Sequence, residues 1–384
     1  MKVVAMSDLH AGSRRWEGQP GARAAETAAV LDWFVALVED EQAELAVWAG
    51  DTFDSRRPAP RELRMVAAAA SRIARTCPLV IVGGNHDGPS VVGDPDSHTL
   101  GWLDAVRMHD VYVATEPRVI DVGLRAWGTA RVYAEPYPHP RSLDGPGTIG
   151  ERQARVSEAV QRRALDWAAD DRGEAFGIYV GHLSVAGATL GAERTMRAGW
   201  DVTISASALE GYDLALLGHL HAQQRLRANA WYCGSPMRWD WSEEGQRKGA
   251  LVADVAQGEE PRVRAVDFPA RPVRTVDLTY RALTPSFHSP AFPSPAWREL
   301  FDGAMVRLRV DADRRPEAAW RARLEREAYA AGAHFVRVDV SVVRAAEAPR
   351  ERASLTAEER LRAWLDGHGG ADAATLVLAR EVVG

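Results

Sequence analysis

The sequence predicts an α/β core, a small second domain and a helical tail. Apolar strands alternate with helical segments through the first two-thirds of the 384 residues, which is typical of a sheet whose faces are covered by helices. A shorter β-α-β pattern follows a proline-containing stretch, 267–275, and the chain is long enough for two domains. We therefore expect a core at 1–268, a cap domain at 269–345, and a linker with a helix-loop-helix tail at 346–384.

The elements of the core follow from the spacing of apolar residues. Strands are expected where apolar residues run together, and helices where they recur every three or four positions. The expected strands are 2–7, 44–50, 78–84, 176–181 and 213–218, with shorter β segments near 231–233, 250–255 and 262–267. The expected helices are 24–43, 61–76 and 150–169. The Pro/Gly-rich stretch 131–150 stays unassigned, and its His139 is interpreted as a loop residue.

The C-terminal third repeats the alternation on a smaller scale. A strand at 304–312, a helix at 316–331 and a strand at 334–343 make one β-α-β unit. A charged linker follows. Thr356 and Glu359 then have the spacing of a capping box at the start of a tail helix.

Bulk composition limits the classes of protein. The chain is 46% hydrophobic and 26% charged, as ordinary globular proteins are, and it contains no apolar run of the ~20 residues that a membrane span needs. Because Cys77 and Cys233 are its two cysteines, a disulfide framework or a thiolate metal cluster is not expected. We expect a cytoplasmic protein, since no secretory h-region follows Met1.

The net charge of −6 argues against a nucleic-acid partner only weakly. Residues 271–384 hold 18 basic and 16 acidic side chains, whereas residues 1–270 hold 29 and 37. Bound divalent cations would also add positive charge at one spot, and a local field matters more than an average.

Metal-capable side chains follow five of the expected strands. Each apolar run stops at Gly or Ser and is followed at once by such residues: Asp8, His10, Asp51, Asn85, His86, His182, His219 and His221. Alone, Asp-x-His at a strand end is at least as well explained by a turn. A single His182 is better explained as a partly buried histidine, and His-x-His is stronger but still a weak signal by itself. Together these motifs are hard to obtain by chance, and ligands bind beyond the carboxyl ends of strands in α/β folds.

The residue types indicate the chemistry. Carboxylates, an amide oxygen and imidazoles without thiolates suit Mn²⁺, Fe²⁺ or Zn²⁺. Seven ligands are too many for one ion but suit two that share a bridging carboxylate. Two such ions ~3.5–4 Å apart clamp the attacking and leaving oxygens of a phosphoryl displacement, and the departing oxygen then needs a proton from a general acid.

The ordered motifs D-x-H, G-D-x-x-D, G-N-H-D, G-H and G-H-x-H resemble those of the calcineurin-like metallophosphoesterase superfamily. This resemblance implies two packed sheets flanked by helices, an αββα sandwich, with a dimetal site at the strand ends. It assigns one ion to Asp8, His10 and His221, the other to Asn85, His182 and His219, and the bridge to Asp51. It further implies that His86 is the general acid and that Asp87 orients the His86 imidazole.

A second stretch of the sequence resembles one particular group within this superfamily. Residues 231–255, "WYCGSPMRWDWSEEGQRKGALVADV", resemble the G-S-P…F-S-E…K-G segment of SbcD-type subunits of bacterial SbcCD DNA-repair nucleases. This resemblance implies Mn²⁺-dependent exonuclease action on duplex ends and endonuclease action on single strands or hairpins, near the nucleoid. It also implies a DNA-binding cap, a homodimer, and an SbcC-type ATPase partner bound through the tail.

Several residues near these motifs have open roles. Arg14, Arg15 and Arg238 are candidate phosphate contacts, although an ordinary surface arginine is the simpler interpretation of each. Asp54, the second carboxylate of G-D-x-x-D, is a candidate substrate contact, because some relatives have a phosphate-assisting His there. The indoles of residues 239 and 241 are expected to pack in the protein rather than to stack on a base.

Two other functions stay open at this stage. A small-molecule or cyclic-nucleotide phosphodiesterase on the same core would not need residues 270–384. A mainly structural DNA-end adaptor would bind fewer than two Mn²⁺ per chain. The presence of every expected ligand argues against the adaptor.

Overall fold

A computed structural model describes most of the chain. The described residues are 1–89, 97–126, 128–138, 145–189, 202–280, 295–312 and 316–342. The expected tail, with Thr356 and Glu359, and His139 lie outside them. None of the helices in these ranges combines the length and the apolar character needed to cross a membrane.

Two large sheets contain most of the strands in the described residues. Within the described residues the first has six strands. In spatial order they are β14 (Arg262–Asp267), β13 (Gly249–Asp254), β1 (Lys2–Met6), β2 (Leu45–Trp48), β3 (Leu79–Val82) and β4 (Val111–Ala114). Strands β1 to β4 are parallel, and β13 and β14 join antiparallel at the β1 edge. The carboxyl ends of β1, β2 and β3 therefore lie side by side.

The second sheet also has six strands in the part of the chain that the structure describes. Their spatial order is β11 (Gln224–Arg225), β12 (Ala230–Tyr232), β10 (Leu214–Gly218), β7 (Phe176–His182), β6 (Gly128–Glu135) and β5 (Arg118–Leu124). Strands β12, β10, β7 and β6 are parallel. Two short strands, β8 (Ser184–Val185) and β9 (Thr203–Ile204), pair separately.

Side-chain alternation along β1 shows how the sheets and helices stack. Val3 and Ala5 belong to an apolar cluster shared by the two sheets, whereas Val4 and Met6 pack with helices on the opposite face. Because successive side chains of a strand point to opposite faces, one strand contributes to two layers. Strands buried on both faces also explain the nearly continuous apolar runs in the sequence.

Helices cover the outer face of each sheet. The helices α1 (Ala22–Asp40) and α2 (Pro60–Thr76) supply residues such as Phe34 and Ile73 to the cluster over the first sheet. The helix α4 (Ile149–Ala168) covers the second sheet, and the short α3 (Gly101–Ala105) precedes β4. The expected αββα sandwich is confirmed.

The described residues of the C-terminal third include a three-stranded sheet in order β15–β16–β17. Its strands and helices are β15 (Val273–Thr279), α5 (Pro295–Phe301), β16 (Met305–Ala312), α6 (Ala318–Ala330) and β17 (Phe335–Val342). The expected β-α-β unit is present, and β15 is an additional strand that begins inside the proline-containing stretch 267–275.

The chain divides into two compact units. One comprises the described residues of Met1–Val276, Pro293–Leu308 and Leu324–Arg337, and the other those of Asp277–Phe292, Arg309–Arg323 and Val338–Gly384. The domain boundaries at residues 268 and 345 stay predictions.

Candidate metal centre

The parallel strands bring the candidate ligands to one edge of the sandwich. Asp8 and His10 follow β1, Asp51 follows β2, and Asn85 follows β3. In the second sheet, His182 is the last residue of β7 and pairs in register with Gly218, the last residue of β10. The remaining two candidates, His219 and His221, follow directly.

The backbone at this edge is strained. Asp8, His10, Asp51 and His219 have φ angles of 52°, 48°, 49° and 94°, in a region that costs non-glycine residues about 1–3 kcal/mol each. The surrounding structure fixes these conformations: the His10 N–H donates to the Asp51 carbonyl at 2.9 Å, and the Asp8 N–H donates to the Gly50 carbonyl at 3.0 Å. Such strain accumulates at functional sites.

Two glycines in the motifs make room for the side chains. A Cβ on Gly84 would clash with Oδ1 of Asp51, and a Cβ on Gly50 (φ +98°) would clash with the His182 ring. The glycines that precede the candidate ligands are therefore explained by close packing against side chains from neighbouring strands.

One cluster of donor atoms involves Asp8, His10 and His221. Nε2 of His221 lies 3.3 Å from Nε2 of His10 and 3.9 Å from Oδ1 of Asp8. These atoms are close enough to share one ion.

The second cluster forms around Asn85. Its Oδ1 lies 3.2 Å from Nε2 of His182 and 3.2 Å from Nδ1 of His219. Oδ2 of Asp51 lies 3.5 Å from Nε2 of His182 and 3.7 Å from Nε2 of His10. One carboxylate oxygen thus faces both clusters.

The hydrogen bonds of His182 test whether a cation fits. Its Nδ1 lies 2.8 Å from the Ala49 carbonyl oxygen, an acceptor only, so Nδ1 carries the proton. In the neutral ring, Nε2 then presents a lone pair to Asn85 Oδ1 and Asp51 Oδ2, which also present lone pairs. A cation among these atoms would remove the repulsion. Ligands about 2.1 Å from an ion lie roughly 3.0–3.5 Å apart, as these atoms do.

The negative charge of the site also favours a bound cation. Burial is the largest single influence on the pKa of His182 and lowers it. The charge and hydrogen bond of Asp51, the charge of Asp8 and the Ala49 carbonyl together outweigh burial and raise this pKa to about 9. A proton is thus drawn to the nitrogen that faces the oxygens. At His10 burial dominates and lowers the pKa, which favours the neutral imidazole that binds metals.

His86 lies at the opening of the site. Its side chain is 35% exposed, and its ring packs edge-on against His10 with centroids 4.6 Å apart. Its backbone N–H donates to Oδ1 of Asp51 at 2.8 Å. His86 therefore borders the candidate ligands while remaining accessible to a substrate.

The expected role of Asp87 is wrong. Its fully buried carboxylate accepts hydrogen bonds from the backbone N–H groups of Thr52, Phe53 and Gly84 at 3.0, 2.8 and 3.1 Å. It therefore ties the loop after β2 to the loop after β3. Nδ1 of His86 instead lies 2.9 Å from the backbone carbonyl oxygen of Asp54. A backbone acceptor orients the imidazole, and sequence alone gives no sign of it.

The Asp54 side chain lies next to a candidate ligand. Its Oδ1 is 3.4 Å from Nδ1 of His10 and 4.0 Å from Nδ1 of His86. A carboxylate behind a metal-binding imidazole is a common way to orient the ring. A substrate contact by Asp54 stays a prediction.

The three arginines that are candidate phosphate contacts differ in their exposure and in their partners. Arg14 is exposed, and Arg15 is 39% exposed with a 2.9 Å ion pair to Asp240. A phosphate contact by Arg238 stays a prediction, and its guanidinium already donates to four backbone carbonyls. These are the carbonyls of Glu243, Gln246, Ala270 and Arg271, at 2.8 to 3.3 Å. Arg238 therefore has a structural role.

The two tryptophans pack inside the protein, as expected. Trp239 is 3% exposed, donates its indole N–H to the Asp8 carbonyl at 3.2 Å and carries the Arg23 guanidinium over its ring. Trp241 packs on Trp16 with ring centroids 4.5 Å apart. Trp239 thus supports the backbone of a candidate ligand.

Sequence reasoning missed two residues beside the ligands. Glu243 lies 2.8 Å from His221 through Oε1 and Nδ1, and its only signal was its place in the S-E…K-G segment. Tyr137 lies over His219 with ring centroids 5.5 Å apart, within the stretch that stayed unassigned.

Comparisons with known proteins agree with this geometry. The family described as calcineurin-like phosphoesterase matches residues 1–223, a range that includes all seven candidate ligands. The SbcD subunit of the nuclease SbcCD from Bacillus subtilis is 33% identical over 277 residues, which is 68% of this chain and 68% of that protein.

Two solved structures show a weaker similarity to this chain. A dimetal phosphatase from Danio rerio is 12% identical over 69% of this chain and 98% of its own, with a TM-score of 0.36. The nuclease MPE of Pseudomonas putida is 20% identical over 49% and 66%, with a TM-score of 0.22. The family match and the Bacillus subtilis relative therefore decide the assignment: this chain is a metal-dependent hydrolase of the calcineurin-like phosphoesterase family.

Proposed function

We propose that this chain is the nuclease subunit of an SbcCD-type complex, and that it hydrolyses DNA phosphodiesters with two Mn²⁺ ions. The observation that carries the two-ion proposal is the position of Asp51 Oδ2, between Nε2 of His10 and Nε2 of His182. The 33% identity to the SbcD subunit of a nuclease supports DNA as the substrate. The oxygen and imidazole donors, without thiolate, support Mn²⁺, with Fe²⁺ or Zn²⁺ as alternatives.

Each ion would have its own set of ligands in this proposal. Asp8, His10 and His221 would hold one ion, and Asn85, His182 and His219 the other, with Asp51 shared. Divalent cations, when bound, supply Lewis-acid stabilisation for the charge that develops on the phosphoryl oxygens.

His86 would donate the proton to the departing oxygen. Because its Nδ1 lies against the Asp54 carbonyl, Nε2 is the atom from which that proton would leave. The partial exposure of the ring supports contact with a scissile phosphate. Asp87 acts indirectly, by holding the loops that carry Asp51 and His86.

DNA would be bound through its phosphates rather than its bases. Arg14 and Arg15 are exposed beside the loop that carries His10, and phosphate contacts carry no sequence information. We further propose that the chain forms a homodimer and that its tail at 346–384 binds an SbcC-type ATPase.

Cleavage of end-labelled duplex DNA in Mn²⁺ tests this function. Purified wild-type chain and His86→Ala would be assayed with and without an SbcC-type partner, beside a small chromogenic phosphodiester. We expect the wild type to shorten the duplex and the variant to lose most of this activity. Hydrolysis of the small diester alone, under both conditions, would contradict a DNA nuclease and favour a small-molecule phosphodiesterase.

A further inference from the structure

The segment "WSEEGQRKG" of 241–249 contains a buried ion pair beside the candidate metal centre. Glu243 ends a 3-10 helix, Trp241–Glu243, and Lys248 directly precedes β13. Both residues are 2% exposed. A buried charged pair costs several kcal/mol in desolvation and often adds nothing to stability. Its presence here therefore calls for an explanation other than stability.

The Glu243 carboxylate uses both of its oxygens. Oε1 accepts a hydrogen bond from Nδ1 of His221 at 2.8 Å. Oε2 accepts from the Lys248 ammonium at 2.7 Å and from the Trp239 backbone N–H at 3.1 Å. The carboxylate therefore has little freedom to move, and neither does the imidazole that donates to it.

Lys248 holds His221 a second time through the backbone. Its Nζ donates to the His221 carbonyl oxygen at 3.0 Å and to the Ser235 hydroxyl at 2.8 Å. The Ser235 N–H also donates to the His221 carbonyl, at 3.1 Å. One ammonium thus fixes both the main chain of His221 and the carboxylate behind its ring.

We propose that Glu243, held by Lys248, is a positioning residue that keeps the proton on Nδ1 of His221 and so aims Nε2 at the metal site formed with Asp8 and His10. A carboxylate accepts but does not donate, so the 2.8 Å contact requires the hydrogen on Nδ1. Nε2 is then left with a lone pair, 3.3 Å from Nε2 of His10. Carboxylate–histidine–metal arrangements orient and strengthen such ligands. The inference rests on the proposed function, because it requires His221 to hold an ion.

Calorimetric titration with Mn²⁺ tests the proposal on the full chain. Glu243→Gln keeps the shape but loses the charge, and Glu243→Asp keeps the charge but draws the carboxylate away from His221. We expect each variant to bind one of two Mn²⁺ ions about 10–100-fold more weakly, the usual effect of losing such a partner. Glu135→Gln is the matched control, since Glu135 is a buried carboxylate paired with Arg163 on α4. It should bind both ions as the wild type does.

A spectroscopic measurement separates positioning from general destabilisation. In histidine-labelled, Zn²⁺-loaded protein, Nδ1–H of His221 should give a downfield, slowly exchanging ¹H–¹⁵N signal in the wild type and in Glu135→Gln. We expect this signal to be lost or shifted upfield in Glu243→Gln.

The Mn²⁺ titrations distinguish a failure of the positioning role of Glu243 from a failure of the proposed function. Wild type that binds fewer than two Mn²⁺ would overturn the proposed function and the inference together. Wild type that binds two, with the same affinities in Glu243→Gln and Glu243→Asp, would overturn the inference alone. Equal weakening in the Glu135→Gln control would overturn it too, because the effect would then not be specific to His221.

Discussion

Nδ1 of His86 lies 2.9 Å from the backbone carbonyl oxygen of Asp54. A carbonyl oxygen only accepts hydrogen bonds, so Nδ1 is the donor and the other ring nitrogen remains for chemistry. The hydrogen-bond acceptor of His86 is thus a backbone group, and the Asp54 carboxylate lies farther away, 4.0 Å from the same nitrogen. The loop that follows β2 thus carries both Asp51, a candidate ligand, and the group that orients the candidate acid.

Replacement of His86 by Ala should separate proton donation from metal binding. The side chain is not among the proposed ligands, so we expect two Mn²⁺ ions to bind as in the wild type. Turnover should fall about 10²–10⁴-fold, the usual effect of losing a general acid. Kinetics of DNA cleavage and calorimetry on the same preparation check both statements. Near wild-type cleavage would remove His86 from the mechanism.

Asp87→Asn should lower the stability of the folded protein. The amide can supply only one acceptor oxygen for the three backbone N–H groups of Thr52, Phe53 and Gly84, and buried donors without partners cost about 1–3 kcal/mol each. We expect the free energy of unfolding in urea to fall by about 2–4 kcal/mol. The pH dependence of cleavage by the folded variant should keep the wild-type profile. A changed profile with unchanged stability would restore Asp87 as the partner of His86.

Arg238→Ala should also destabilise the protein, because each of four backbone carbonyls loses a donor. We expect a loss of about 2–4 kcal/mol in the free energy of unfolding. Arg15→Ala is the matched comparison: it breaks one exposed ion pair with Asp240, and such pairs contribute ~0–1 kcal/mol. If Arg238→Ala instead weakened only DNA binding, with stability unchanged, a phosphate contact would be the better interpretation.

The pH dependence of stability should contain a contribution from Glu135. Burial raises its pKa to about 7, and pairing with Arg163 offsets this only in part. The unfolded chain loses this proton above about pH 4.5, whereas the folded chain keeps it until about pH 7. Folding therefore retains a proton, and stability should fall as pH rises between these values, by at most about 3 kcal/mol.

Urea denaturation between pH 4.5 and 8 measures this contribution as the difference between wild type and Glu135→Gln. The difference should change in favour of the variant as pH rises to about 7 and then level off. A difference that stays constant across this range would show that Arg163 keeps Glu135 ionised throughout.

Much of the fold could be predicted because its strands are buried on both faces. Continuous apolar runs such as that of β3 need no partner information to be found. The strand β5 carried a signal that was missed: Ile120, Val122 and Leu124 alternate with exposed residues. The strand β15 was missed because the prolines beside it suggested a boundary.

The candidate ligands could be predicted because they follow the strands directly. The hydrogen bonds that orient these ligands could not be predicted. Glu243 reaches His221 from 22 residues along the chain. The partners of His86 and His182 are backbone carbonyls, which every residue type possesses. Sequence patterns therefore indicate which residues could bind an ion, whereas the orientation of those residues depends on packing between distant segments.

In the proposed metal centre, Asp51 is shared by two metal ions. The most direct test is the number of Mn²⁺ ions bound per chain, measured by calorimetry for the wild type and for Asp51→Asn. We expect two ions in the wild type and fewer than two in the variant, because the oxygen that faces both His10 and His182 is then no longer part of a carboxylate. One ion or none in the wild type, or two ions held with unchanged affinity by Asp51→Asn, would contradict the shared-carboxylate centre.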